Sequence, residues 1–210
     1  MTAASREGSL FGWKTKGGPI LYQSFIEDAS LPEILKRIDE DLARTTRAAG
    51  CGCSGALHVS NYPRKPRCPW TLPEGCDRRL SFTCAICRKR TTPPSALFLG
   101  RRVYLAVVVA LVSALRQGPT PARMAVLRQH WGVPERTVLR WQKWWGEAFA
   151  GSPFWRQARA RLARPLDEAV LPFSLAVAFG VDSGAVDRVC ALLHFLAPIT
   201  THPWLLAQAS

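Results

Sequence analysis

The chain has 210 residues, 48% of them apolar, with eight tryptophans and a net charge of +13. That length fits one compact unit or two small ones, and the apolar content excludes a chain that is disordered throughout. The first twenty residues lack an apolar leader core, and the apolar run Val103–Leu115 is 13 residues long where a membrane span needs about 20, so a cytoplasmic protein is expected.

Taken in order, residues 1–18 read as a loose polar arm, and Leu21–Ile26 as a short strand or entry turn. Ser30, Pro32 and Glu33 then fit the start of a helix. Leu31, Ile34, Leu35, Ile38 and Leu42 recur at helical spacing, which puts Lys36, Arg37, Asp39 and Glu40 on the opposite face, and Gly50 can end the helix. Residues 1–49 therefore form an arm and an amphipathic helix. Residues 50–95 are rich in Gly, Pro and Cys, with short strand-like pieces at Ala56–Val59 and Leu80–Thr83. Thr91–Ser95 contains two prolines that bar helix. Val103–Leu115, closely bracketed by Arg101, Arg102 and Arg116, reads as a buried helix within a helical unit over 96–150. The last segment, 151–210, is helical again. Ser152 is placed to cap a helix from Pro153 to about Arg164, and Ser183 one that runs to about Leu196 with Val186, Val189, Cys190, Leu193 and Leu196 on one face. The expected fold class is mainly α, with a small zinc-ribbon β element and a helix-turn-helix bundle.

Chemistry concentrates in two places. Cys51-x-Cys53 and Cys84-x-x-Cys87 are close thiol pairs separated by 30 residues. Thiolates are soft ligands that hold zinc tetrahedrally at about 2.3 Å, and residues between two near cysteines form a turn that aims both sulfurs at one ion. Residues 51–90 carry too little apolar surface to fold without such a staple. A structural Zn²⁺ on Cys51, Cys53, Cys84 and Cys87 is expected, with His58 as the substitute ligand if Cys51 points away. Cys68 and Cys76 bracket a seven-residue gap, which is no knuckle; they are loop thiols, exchangeable ligands or a second weak site. Cys190 is a packing residue.

The second place is His130–Trp145. Ala122–Trp131 reads as a supporting helix, Gly132 as a left-handed turn residue, Val133 as a plug into the core and Pro134-Glu135 as the start of a second helix. Val138, Trp141 and Trp145 share its inner face, whereas Arg136, Thr137, Arg140 and Lys143 face outward. A helix of this kind can enter the major groove, its arginines reading guanines or clamping phosphates. Charge agrees with that reading. Residues 1–59 carry 7 basic and 7 acidic side chains, 60–115 and 116–164 each carry 10 and 2, and 165–210 carry 1 and 4. The excess sits on the cysteine and tryptophan segments, the footprint of a polyanion partner. Arg64, Lys65 and Arg67, together with Arg88, Lys89 and Arg90, lie where they can reach phosphates, and Arg78 and Arg79 flank the second cysteine pair.

Cys51, Cys53, Cys84 and Cys87, the Arg88-Lys89-Arg90 run and Gly132–Trp145 together resemble the DNA-binding region of bacterial insertion-sequence transposases and their accessory proteins. The resemblance covers roughly residues 50–145 and departs from the family in its first pair, which is CxC rather than CxxC. It implies binding to transposon-end or operator-like DNA. Beyond Trp145 only Glu147, Asp167, Glu168, Asp182 and Asp187 are acidic, and no strand series exists to place a nuclease triad. A non-enzymatic DNA-binding protein is therefore expected, either transposon-associated or a transcriptional regulator. The alternatives are a scaffold that docks a catalytic transposase or a second copy through 165–210, and an RNA-binding zinc ribbon.

Overall fold

The computed structural model describes residues 30–68, 71–99, 104–113, 120–162, 165–179 and 184–201. The expected arm, Leu21–Ile26, the ends of the 103–115 helix and the Ser183 cap lie outside them. Helix α1 spans Leu31–Ala49 and stops at Gly50, whose φ of 73° is in the left-handed region. Five short strands follow: β1 (Leu57–Val59), β2 (Tyr62–Pro63), β3 (Arg78–Arg79), β4 (Phe82–Cys84) and β5 (Arg90–Thr91). They form an antiparallel sheet in the order β1-β4-β5 and a separate β2-β3 ribbon. The remainder is helical: α2 (Ala106–Ser113), α3 (Pro121–Trp131), α4 (Glu135–Trp144), α5 (Pro153–Ala158), α6 (Phe173–Ala178) and α7 (Ala185–Leu196). The protein is thus mainly α with a small antiparallel β element.

One core joins residues from before and after the strands. Helix α2 is apolar on all sides, so burial is the only stable place for it; Val107, Val108, Val109, Ala110 and Val112 are all buried. It packs on α4 and α7, and α1 packs on α7 as well. After α4 the chain widens into one π-helical turn, Trp145–Phe149. That turn points Trp145 and Phe149 inward with ring centroids 4.7 Å apart, and Trp155 joins Phe149 at 5.2 Å. Ser152 caps α5 as its position predicts, accepting from the Trp155 amide at 3.1 Å, but the α-helix ends at Ala158 and tightens into a 3₁₀ turn over Arg159–Arg161. A second, small core holds Ala43, Leu57, Phe82 and Cys84 between α1 and the three-stranded sheet.

Two expectations are corrected here, and a third gains detail. Ser30 does not cap α1 with its side chain; its own backbone is already helical (φ −80°, ψ −22°). Asp39 is not on an exposed face. It is buried, and its carboxylate accepts from the Ser95 hydroxyl, from the Ala96 amide at 2.6 Å and from the Leu97 amide at 3.3 Å. It thus anchors the apolar segment Ala96–Leu99 to α1. Cys76 is a free thiol on a turn, as expected, but a fully buried one: it points at the Pro32 carbonyl at 3.7 Å, and burial pushes its thiol up to about 11.

Candidate metal centre and cationic helix face

The sheet brings the two cysteine pairs together. Antiparallel pairing sets Leu57 opposite Cys84, so the turn before β1 and the turn after β4 meet at one end of the sheet. The four sulfurs of Cys51, Cys53, Cys84 and Cys87 all lie within 4.8 Å of one another. Along three edges the separations are 3.5 Å (Cys51–Cys87), 3.5 Å (Cys51–Cys53) and 3.4 Å (Cys53–Cys84). A tetrahedral ion with 2.3 Å bonds to sulfur needs edges of about 3.8 Å, whereas a disulfide needs about 2.05 Å. The spacing therefore fits four ligands around one ion and no covalent bridge.

The two turns are built alike. Ser54 follows Cys53 with φ 61°, and Arg88 follows Cys87 with φ 58°; both are left-handed and neither is glycine. Such a conformation is costly for an L residue and persists where the surroundings demand it. Each turn closes with a backbone bond to its first cysteine, from the Ser54 amide to the Cys51 carbonyl at 2.8 Å and from the Arg88 amide to the Cys84 carbonyl at 3.2 Å. Each also aims an amide at a sulfur: Gly55 at Cys53 and Lys89 at Cys87. Gly55 has a further role, because a Cβ there would overlap the Cys84 sulfur and crowd Ile86.

Cys53 and Cys87 are pushed in opposite directions. The Gly55 amide, assisted by the neighbouring thiols, brings Cys53 down to about 6. The Lys89 amide favours the Cys87 thiolate too, but the three other sulfurs outweigh it and push Cys87 up to about 12. Negative charge already placed on one sulfur resists charge on the next. A dication removes that resistance, and this four-thiolate set could hold one. Cys84 is buried and Cys51 half-buried, while Cys53 and Cys87 are exposed, so the centre lies at the surface. His58 is exposed on β1 opposite Thr83 and is not part of the cluster. Cys68 and Cys76 are not part of it either.

The other predicted residues divide. Lys65, Arg67, Arg88, Lys89 and Arg90 are exposed. Arg64 is half-buried with its guanidinium 5.5 Å from the Phe98 ring centroid, and Arg90 lies 5.4 Å from that of Tyr62. Arg79 is withdrawn from any surface role: it is 3% exposed and donates to the Pro93 carbonyl at 2.6 Å. On α4, Arg136, Arg140 and Lys143 are exposed, and Lys143 approaches Glu147 at 3.9 Å. Thr137 is corrected. It is 7% exposed, because it lies one residue before Val138 and shares the inward side with Val138 and Trp141. Position 139 holds the surprise. Leu139 is 46% exposed on the same outward side as the cations.

Helices α3 and α4 are joined by Gly132-Val133-Pro134. Gly132 has φ 60° and donates its amide to the Arg128 carbonyl at 3.1 Å, while Val133 is fully buried. Sequence reasoning missed Tyr104, which holds this turn. Its hydroxyl donates to the Gly132 carbonyl at 3.1 Å, and its ring meets Trp141 edge-on at 5.2 Å. Its backbone bridges Arg67, with the Leu105 amide donating to the Arg67 carbonyl at 3.4 Å. One tyrosine thus ties the cationic loop 64–67 to the α3–α4 turn. The only sequence signal for it was a polar-tipped aromatic at the edge of an apolar run.

No family model matches this chain, and no curated protein or solved structure matches it. Among the described residues, no helix is long and apolar enough to cross a membrane.

Proposed function

We propose that this protein binds duplex DNA, with zinc on Cys51, Cys53, Cys84 and Cys87 fixing the ribbon and α3–turn–α4 acting as a helix-turn-helix. The observation that carries the reading is the two-sidedness of α4. Val138, Trp141 and Trp145 are buried behind it, and Arg136, Arg140 and Lys143 project from its front. A three-residue turn with a left-handed glycine precedes it, as the motif requires. In this reading α4 lies in the major groove while the basic loop 64–67 and the Arg88–Arg90 run meet phosphates. With four thiolates the ion has no open position, so its role is structural. The resemblance to insertion-sequence transposases supports a transposon-associated or regulatory role without a nuclease of its own.

The deciding experiment is a gel-shift series on duplexes selected from a random library. Arg136→Ala and Arg140→Ala should each weaken specific binding by about 1–3 kcal/mol if the arginine reads a base. Unchanged affinity in both variants would remove α4 from the interface.

A further inference from the structure

The exposed side of α4 is not purely cationic. Leu139 stands one turn after Arg136 and one turn before Lys143, with Arg140 beside it, and leaves 46% of its surface in water. Glu135 precedes it in the first turn, where a carboxylate suits the helix N-terminus. The helix does not lack places to bury an aliphatic group. Val138 next to it is fully buried, and the fixed 100° step per residue that puts Val138 and Trp141 inward puts Leu139 outward. A leucine at the centre of a polar, charged stripe leaves almost half of its apolar surface unused by the fold.

Resting on the DNA-binding reading above, we propose that Leu139 is a base-reading residue that contacts the 5-methyl group of a thymine. The chemistry follows from what the major groove displays. Guanine offers two acceptors that suit an arginine fork, and thymine is the one base that offers an apolar methyl group. Arg136 and Arg140 supply two forks, and Leu139 supplies the one apolar surface among the exposed residues of α4. Residues three and four apart on a helix lie one above the other, so they face neighbouring base pairs along the groove. The target site then contains a thymine next to the guanines read by the arginines. A charged side chain at 139 would offer no apolar surface to that methyl group; a leucine does.

The test uses the full chain with zinc and the duplexes recovered from a random-library selection. Each thymine of the recovered site is replaced in turn by deoxyuridine, which removes the methyl group alone. One such replacement should weaken the wild-type protein about fourfold, the effect of one buried methyl group. Leu139→Ala should bind the thymine duplex about as weakly as the wild type binds the uracil duplex, and should no longer tell the two apart. Leu139→Gln should behave the same way; both changes are at an exposed position, and circular dichroism checks that the helices persist. If duplexes are enriched but no thymine is sensitive to loss of its methyl, or if Leu139→Ala still discriminates, this inference is wrong while DNA binding stands. If Leu139→Ala instead leaves all duplex affinities intact and abolishes self-association in sedimentation, the residue belongs to a protein interface. If no duplex is enriched at all, both the inference and the function it rests on fall.

Discussion

At the scale of single residues, the chain spends unusual groups where geometry leaves no choice. Gly55 is present because the Cys84 sulfur occupies the space of its missing side chain. Ser54 and Arg88 accept left-handed backbone so that the next amide can point at a sulfur. Asp39 is the clearest case away from the cysteines. Three donors from the Ser95–Leu97 stretch converge on its carboxylate inside the core. Asp39→Ala should strand those donors and cost about 3 kcal/mol in urea unfolding. Asp39→Asn keeps an acceptor and should cost less, and it adds a pH signature. Burial raises the Asp39 carboxyl above 3.8, against the pull of Ser95, Ala96 and Arg79. A raised acid favours the fold most below 3.8, and that contribution is lost as pH rises through the folded value. Relative to Asp39→Asn, the wild type should therefore lose stability as pH rises from 3.8 through the raised pKa. Taking the difference between the two proteins cancels acid effects on the thiols, and a difference that stays flat with pH would mean that Asp39 is not desolvated.

At the scale of elements, what was legible followed from local pattern and what was hidden came from distant partners. The all-apolar run predicts a buried helix, and α2 is one. Ser152 caps α5 because a cap is a contact three residues long. The cysteine spacing predicts one four-sulfur cluster, and the sheet register assembles it. Asp39 was illegible because its partners lie 56 to 58 residues away. Thr137 was misplaced by a single helical step, and Cys76 was hidden because a turn residue seldom sits in a core. The small core under the sheet bears directly on the four-cysteine site. Ala43, Leu57, Phe82 and Cys84 are too few to hold three strands of two or three residues each. Purified protein should contain one zinc per chain, and a strong chelator should release it. Hydrogen exchange should then show Phe82–Cys84 and Arg90 losing protection while α2 and α4 keep theirs, since the larger core is built without the four clustered sulfurs. A ribbon that stays protected after the metal is gone would mean that packing alone folds it.

At the scale of the whole molecule, the question is whether the two cationic regions act as one surface. Each of the segments 60–115 and 116–164 carries 10 basic and 2 acidic residues. Tyr104 joins them physically, with its backbone against Arg67 and its side chain on Gly132 and Trp141. These contacts set loop 64–67 beside the α3–α4 turn, and the proposed function then needs both to engage one stretch of duplex. The two regions should nonetheless differ in kind. A base-reading arginine changes which sequence is bound, whereas a phosphate-binding one changes how steeply affinity falls with salt, because each neutralised phosphate releases about 0.9 of a counterion. The combined variant Arg88→Asn, Lys89→Ala and Arg90→Ala removes the three exposed cations beside the second cysteine pair. Asparagine is chosen at 88 because it tolerates the left-handed backbone found there. The slope of log affinity against log salt should become shallower by about 2–3, and the ranking of bound sequences should not change. A slope equal to that of the wild type would place the ribbon off the DNA and leave α4 to bind alone; a changed ranking would give those cations a part in reading the bases.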